Sequence, residues 1–147
     1  MRQTHSDKDY QVLQVVAKLL VPYILLFALY VQFHGDFGPG GGFQAGVIFA
    51  AGVILYAMAF GLDKAMSLLS PQVLRPLAAL GVLIYGGTGV AGMFLGGHFL
   101  DYYVLATPPT AGQHLGIFLV ELGVGLTVTC VMLLIFFAFA QRAEQAP

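Results

Sequence analysis

An all-α integral membrane protein with four transmembrane helices is the fold class this sequence predicts, and three observations predict it. Hydrophobic residues make up 59% of the chain and charged residues only 9%, far below the roughly 25% charge of soluble domains, so there is too little polar surface to hold a folded domain in water. Four apolar stretches, at 12–33, 43–62, 74–95 and 115–140, each approach or exceed the ~20 residues that cross a bilayer as a helix. Nothing alternates apolar and polar over the length of a barrel strand, and an open sheet would strand backbone donors in lipid, so the spans are helices. The expected organisation is a single membrane domain over 1–147.

The first span follows a polar segment that ends at Tyr10. It is too long for a signal-peptide core and lacks a clear small-residue cleavage site, so it is expected to stay as an uncleaved helix. It contains Lys18, about three turns in, where a lysine stem can snorkel to the interface or make a structural contact. The second span begins directly after the glycine-rich turn His34-Gly35-Asp36-Phe37-Gly38-Pro39-Gly40-Gly41-Gly42. Gly38 and Gly40 to Gly42 can take positive φ without steric cost, while Pro39 fixes its own φ and restricts Gly38, so a sharp, shaped turn is expected. Gln44 then falls in the first turn of a helix, beside backbone donors with no intrahelical partner. The turn is either a packing element or the lining of an ion or water path.

Orientation follows from lysine and arginine. Arg2 and Lys8 precede the first span, Lys64 and Arg75 flank the second connection, and Arg142 follows the last span, while the first and third connections carry none. The positive-inside rule then places both termini and the second connection in the cytoplasm and the glycine-rich turn outside.

The 19 glycines lower helix propensity but let helices approach closely. Small residues four apart recur at Gly42 and Gly46, Gly87 and Ala91, Gly92 and Gly96, and Gly112 and Gly116. Each pair is a candidate packing face, and together they favour an assembly.

Ionisable residues inside spans are functional candidates by default, and two occur here, Lys18 and Glu121. Glu121 is expected roughly 10 Å inside the fourth span at 1.5 Å per residue, where an ionised carboxylate calls for a cation or a hydrogen-bond donor. His114 and Gly125 share its helix stripe. Two readings stay open: an outward proton or cation path, or a polar bond to a neighbouring helix.

Other classes have less support. A net charge of −1 from 6 basic and 7 acidic residues offers no face for nucleic acid. Cys130 is the sole cysteine, which excludes a disulfide framework within the chain. Gly40, Gly42 and Ala45 match the dinucleotide fingerprint formally, but no strand precedes them. His34, Asp36, His98, Asp101 and His114 gather near the outer ends and suit zinc or iron chemically, yet lack the compact pairing of a helical metal motif. No metal site, cofactor or enzymatic activity is therefore expected.

The run Phe33-His34-Gly35-Asp36-Phe37-Gly38-Pro39-Gly40-Gly41-Gly42-Phe43-Gln44-Ala45-Gly46 resembles the B subunit of Mrp-type multisubunit cation/proton antiporters. That family typically carries His-Gly-His, a spacer and Pro-Gly-Gly-Gly-Phe-Gln-Gly-Gly; here Asp36 replaces the second His and Ala45 the glycine after Gln. The resemblance implies that His34, Pro39, Gly40, Gly41, Gly42, Phe43 and Gln44 are the motif residues. It also implies a small subunit of a hetero-oligomer in the bacterial cytoplasmic membrane that exchanges Na+ for H+ with the other Mrp subunits. Rival readings are a self-sufficient homo-oligomeric transporter built on Glu121, a subunit of a hydrogenase-linked antiporter, and a small metalloenzyme using the outer histidines.

Overall fold

The computed structural model describes residues 3–35 and 38–145, and side chains within 10–35 and 38–143. Asp36, Arg2 and the side chain of Lys8 lie outside the described residues. All regular structure among the described residues is helical: α1 (Gln3–His34), α2 (Gly42–Phe60), a short α3 (Leu62–Leu68), α4 (Pro71–Phe94) and α5 (Pro109–Gln145), with a single 3-10 turn at Tyr102–Val104. α1, α2, α4 and α5 are long and apolar enough to cross a bilayer.

Glycine and proline set the boundaries. Gly41 (φ 115°) starts α2, and Gly61 (φ 103°) breaks the second apolar stretch before its end. The residues after Gly61 turn into α3, which buries Leu62 and Ala65 and leaves Asp63 and Lys64 exposed, as suits a helix lying along an interface. Ser70 and Pro71 open α4, with the Ser70 carbonyl accepting from Val73 and Leu74 at 3.0 Å each; proline at the first helical position gives up only a donor that would be unpaired anyway. α5 starts at Pro109, six residues ahead of the fourth apolar stretch, and in that added turn Gly112 packs on the backbone of Tyr102, Tyr103 and Ala106 in the preceding connection.

The helices stand in the order α1, α2, α5, α4. α1–α2 and α4–α5 are antiparallel hairpins, and the central pair α2 and α5 run parallel, Gly42 lying at Glu121 and Gly46 at Val128. Small residues carry each contact. Gly52 of α2 sits against Ile24 and Leu25 of α1, and Gly81 of α4 so close to α5 that a β-carbon on Gly123 would stand 2.6 Å from the Gly81 carbonyl oxygen. Lipid gives no hydrophobic drive for helices to associate, so backbone approach and dispersion contact must supply it. Thr127 reinforces the α4–α5 contact by donating to the Ala78 carbonyl at 3.2 Å.

Two of the four small-residue pairs are packing faces: Gly42 with Gly46 against α5, and Gly112 with Gly116 against Tyr102. Gly87 with Ala91 is not one within this chain, since both are exposed and a side chain at Gly87 would meet nothing within 4 Å. Gly92 packs on the following connection, but Gly96 terminates the helix at φ 89° and likewise meets nothing.

The apolar core lies away from the glycine-rich turn, where Ala50, Val53 and Ala57 of α2 meet Leu74 of α4 and Cys130, Leu133 and Phe137 of α5. At the opposite end the connection between α4 and α5 folds back on its helices, with the Phe99 ring on Gly89 and the Tyr102 ring on Gly116. α1 is the least buried of the four spans and α2 the most.

Candidate functional site: a carboxylate held in the glycine turn

The turn closes back onto α1. Gly38 donates to the His34 carbonyl and Gly41 to the Val31 carbonyl, both at 3.2 Å. A β-carbon on Gly40 would lie 2.9 Å from the Val31 oxygen, so the backbone itself leaves no room for one. The His34 ring stacks on Tyr30 at 5.2 Å between centroids, and its Nε2 is 3.1 Å from the place a β-carbon on Gly38 would take. The motif histidine thus supports the turn from below.

Into this turn projects the side chain of Glu121 from α5. Its carboxylate oxygens lie 2.5 Å from the β-carbon position of Gly35, and Oε1 lies 2.9 Å from that of Gly41. Gly42 meets the α5 backbone instead, its β-carbon position 2.9 Å from the Gly125 nitrogen. The glycines therefore serve separate ends: positive φ at Gly41, clearance for the carboxylate at Gly35 and Gly41, and helix contact at Gly42. The first helical hydrogen bond of α2 is Ala45 to the Gly41 carbonyl, 3.0 Å, so the carboxylate stands at a helix N-terminus, where unpaired amides and the helix dipole favour negative charge. Glu121 lies about 18 Å along α5 from Pro109 at 1.5 Å per residue, deeper in its helix than the apolar stretch alone suggests.

The other expected residues are dispersed. Lys18 is exposed, with Nζ 5.7 Å from the centre of the Phe60 ring, at the far end of the α1–α2 hairpin from Glu121. Nearby Gln14 donates to the Ala59 carbonyl at 3.1 Å. His114, on α5 nearly two turns ahead of Glu121, is exposed, as is His98. Among the described residues no three His, Cys, Asp or Glu side chains come together as a metal site would require; Asp36 is outside them. Pro39, Phe43 and Gln44 face outward, Phe43 being 62% exposed. Near Asp101 and the 3-10 turn, burial first and the neighbouring Tyr85 second push the Tyr102 phenol above its ordinary range, so it stays neutral.

Two polar residues passed over in the sequence stand beside the site. Gln32 of α1 fills the space that the missing side chain of Gly125 leaves, and its Nε2 is buried without a hydrogen-bond partner. Thr129 of α5 donates to the Gly125 carbonyl at 2.8 Å. The signal available in the sequence was a lone amide within an apolar run.

Fold and site together define a multi-pass, all-helical membrane protein whose first connection wraps a carboxylate from its last span. The chain belongs to the family of domains related to the MnhB subunit of Na+/H+ antiporter, whose model matches residues 12–134 and so takes in both the turn and Glu121. It is 36% identical over 132 residues to the proteins described as antiporter subunit mnhB2 in Staphylococcus aureus strains Newman, JH1 and COL, a match covering 88% of this chain and 93% of theirs.

Proposed function

We propose that this chain is a membrane subunit of a multisubunit Na+/H+ antiporter in the bacterial cytoplasmic membrane. It forms a single membrane domain that assembles with the other Mrp-type subunits and carries out no catalysis of its own. Within that assembly Glu121 is the group on the ion route that changes charge, and the glycine turn is its housing. The observation that carries this reading is the carboxylate seated between Gly35 and Gly41 at the N-terminus of α2. A carboxylate whose walls are backbone exchanges a proton or a monovalent cation with little side-chain rearrangement, and intramembrane carboxylates commonly mark such routes.

Both termini and α3 lie on the cytoplasmic side in this reading. Lys64, Arg75 and Arg142 sit at one end of the helix array and are exposed, in keeping with the positive-inside rule. The turn then faces outward.

The complete antiporter, reconstituted into vesicles, tests the assignment. Replacing Glu121 with Gln is expected to lower Na+/H+ exchange at least tenfold while the subunit still co-purifies with its partners. Wild-type exchange in E121Q would remove Glu121 from the route. Exchange by the isolated chain would favour instead a self-sufficient homo-oligomer. Genes for the other antiporter subunits beside this one would separate the reading from a hydrogenase-linked relative.

A further inference from the structure

Gln44 is the third residue of α2, counting from Gly42, a position from which a glutamine ordinarily reaches back to accept from the backbone N–H of the residue that caps the helix. The cap here is Gly41. Its N–H already donates to the Val31 carbonyl at 3.2 Å, so the closure of the turn onto α1 has taken the donor that Gln44 would use. The glutamine reaches back nonetheless. Although the residue is exposed, its Oε1 lies 3.7 Å from the place a β-carbon on Gly41 would take. Oε1 of Glu121 lies 2.9 Å from the same place. A capping residue's own side chain would start from that point, and Gly41 has none. The carboxyl group from α5 therefore stands where the cap's side chain would, with the amide of Gln44 beside it.

Two acceptor oxygens beside one vacancy do not attract each other, so either a proton joins them or one group turns. A protonated Glu121 can donate its O–H to the Gln44 oxygen. An ionised Glu121 only accepts, and a half-turn of the amide about its last side-chain bond then presents two N–H donors in place of the oxygen. Such bonds to an ionised carboxylate are about twice as strong as neutral ones, and the exposure of Gln44 leaves its amide room to turn. We propose that Gln44 is the positioning residue of Glu121, partnering its carboxyl group in both charge states by turning its amide end for end when the proton leaves. Only hydrogen bonds to Gln44 change, and the proton passes to the route. The proposal rests on the reading of Glu121 given above, and it gives the motif glutamine a task that helix capping leaves open. Other titratable side chains on the elements around the turn are His34 of α1, Tyr85 of α4, Tyr102 of the connection and His114 of α5, while α2 brings none before Tyr56. All of them stay unchanged in the variants that test the pair.

Infrared difference spectroscopy of the complete antiporter in membranes, recorded between acid and alkaline pH, tests it. The carbonyl stretch of protonated Glu121 is the band that E121Q removes. In Q44M this band is expected to persist at a higher wavenumber, because the carboxyl O–H has lost its acceptor. Side-chain amide bands that change between the two pH values in the wild type are expected to be lost in both Q44M and E121Q, a mutual loss that a merely structural glutamine would not produce. Q44A carries the same test if Q44M does not co-purify with the other subunits. An unmoved Glu121 band in these variants would overturn the proposal, as would amide changes that survive in E121Q or the absence of any carbonyl band that E121Q removes. Exchange by E121Q is measured in the same membranes. Its loss alongside an unmoved band would leave the Glu121 reading standing without Gln44, and a shifted band with E121Q at full exchange would keep the pair but remove the route.

Discussion

Oε1 of Glu121 lies 2.9 Å from the point where a β-carbon on Gly41 would stand, so that one residue's carboxyl group occupies the space the other leaves vacant. The two are eighty positions apart and meet because α2 and α5 run parallel with Gly42 and Gly46 on the α5 backbone. Gly41 also holds φ 115°, a region that disfavours side chains. Backbone conformation and carboxylate clearance thus impose the same residue.

Substitution of Gly35 with Ala should separate the role of the charge from the role of its seat. The new methyl group would collide with both carboxylate oxygens while leaving Glu121 in the chain. Exchange by the reconstituted antiporter is expected to drop toward the level of E121Q, and unchanged exchange in G35A would argue that the seat is incidental.

Two glycine substitutions with opposite expected signs probe the packing. Gly42→Ala places a methyl group on the α5 backbone and should destabilise by about 1–3 kcal/mol, as overpacking does. Gly87→Ala, in the interior of α4 with nothing within 4 Å, should be neutral or stabilise by about 0.5–1 kcal/mol through helix propensity. Thermal unfolding of the purified assembly in detergent compares them, and a loss in G87A would reveal a partner seated on that face.

Lys18 offers a contrast with Glu121. It is exposed and lies over the Phe60 ring, at 5.7 Å from its centre, a cation–π contact worth about 0.5–1 kcal/mol at such a site. K18M is therefore expected to change exchange less than twofold and to cost little stability. A tenfold loss of exchange in K18M with assembly intact would put Lys18 on the ion route.

The core away from the turn should dominate folding. Phe137 is 1% exposed and packs in the cluster with Leu74, Cys130 and Leu133, so Phe137→Ala should cost about 3–5 kcal/mol. The amount of folded subunit recovered from membranes measures it, and recovery at the wild-type level would show that this cluster contributes little.

Much of the site was legible residue by residue, and little of it as a site. The intact motif at 39–44 pointed to the family, and the depth of Glu121 marked it as a residue needing a partner. That the motif and the carboxylate belong together was not legible, because nothing local to either segment encodes which helix lies beside which or at what axial offset. The stripe joining His114 to Glu121 likewise followed from helical period alone, whereas the folded chain places Gln32 and Thr129 beside the site in the other direction.

From the sequence by itself came the four spans, the glycine turn and the family, since a bilayer admits few ways to satisfy a backbone and long apolar runs declare themselves. The break at Gly61 and the meeting of Glu121 with the turn were decided only by tertiary structure. So was the choice of Gly42 and Gly46 over Gly87 and Ala91 as the helix contact. Small residues four apart permit close approach on any face, and only the summed contacts of all the helices select which faces close.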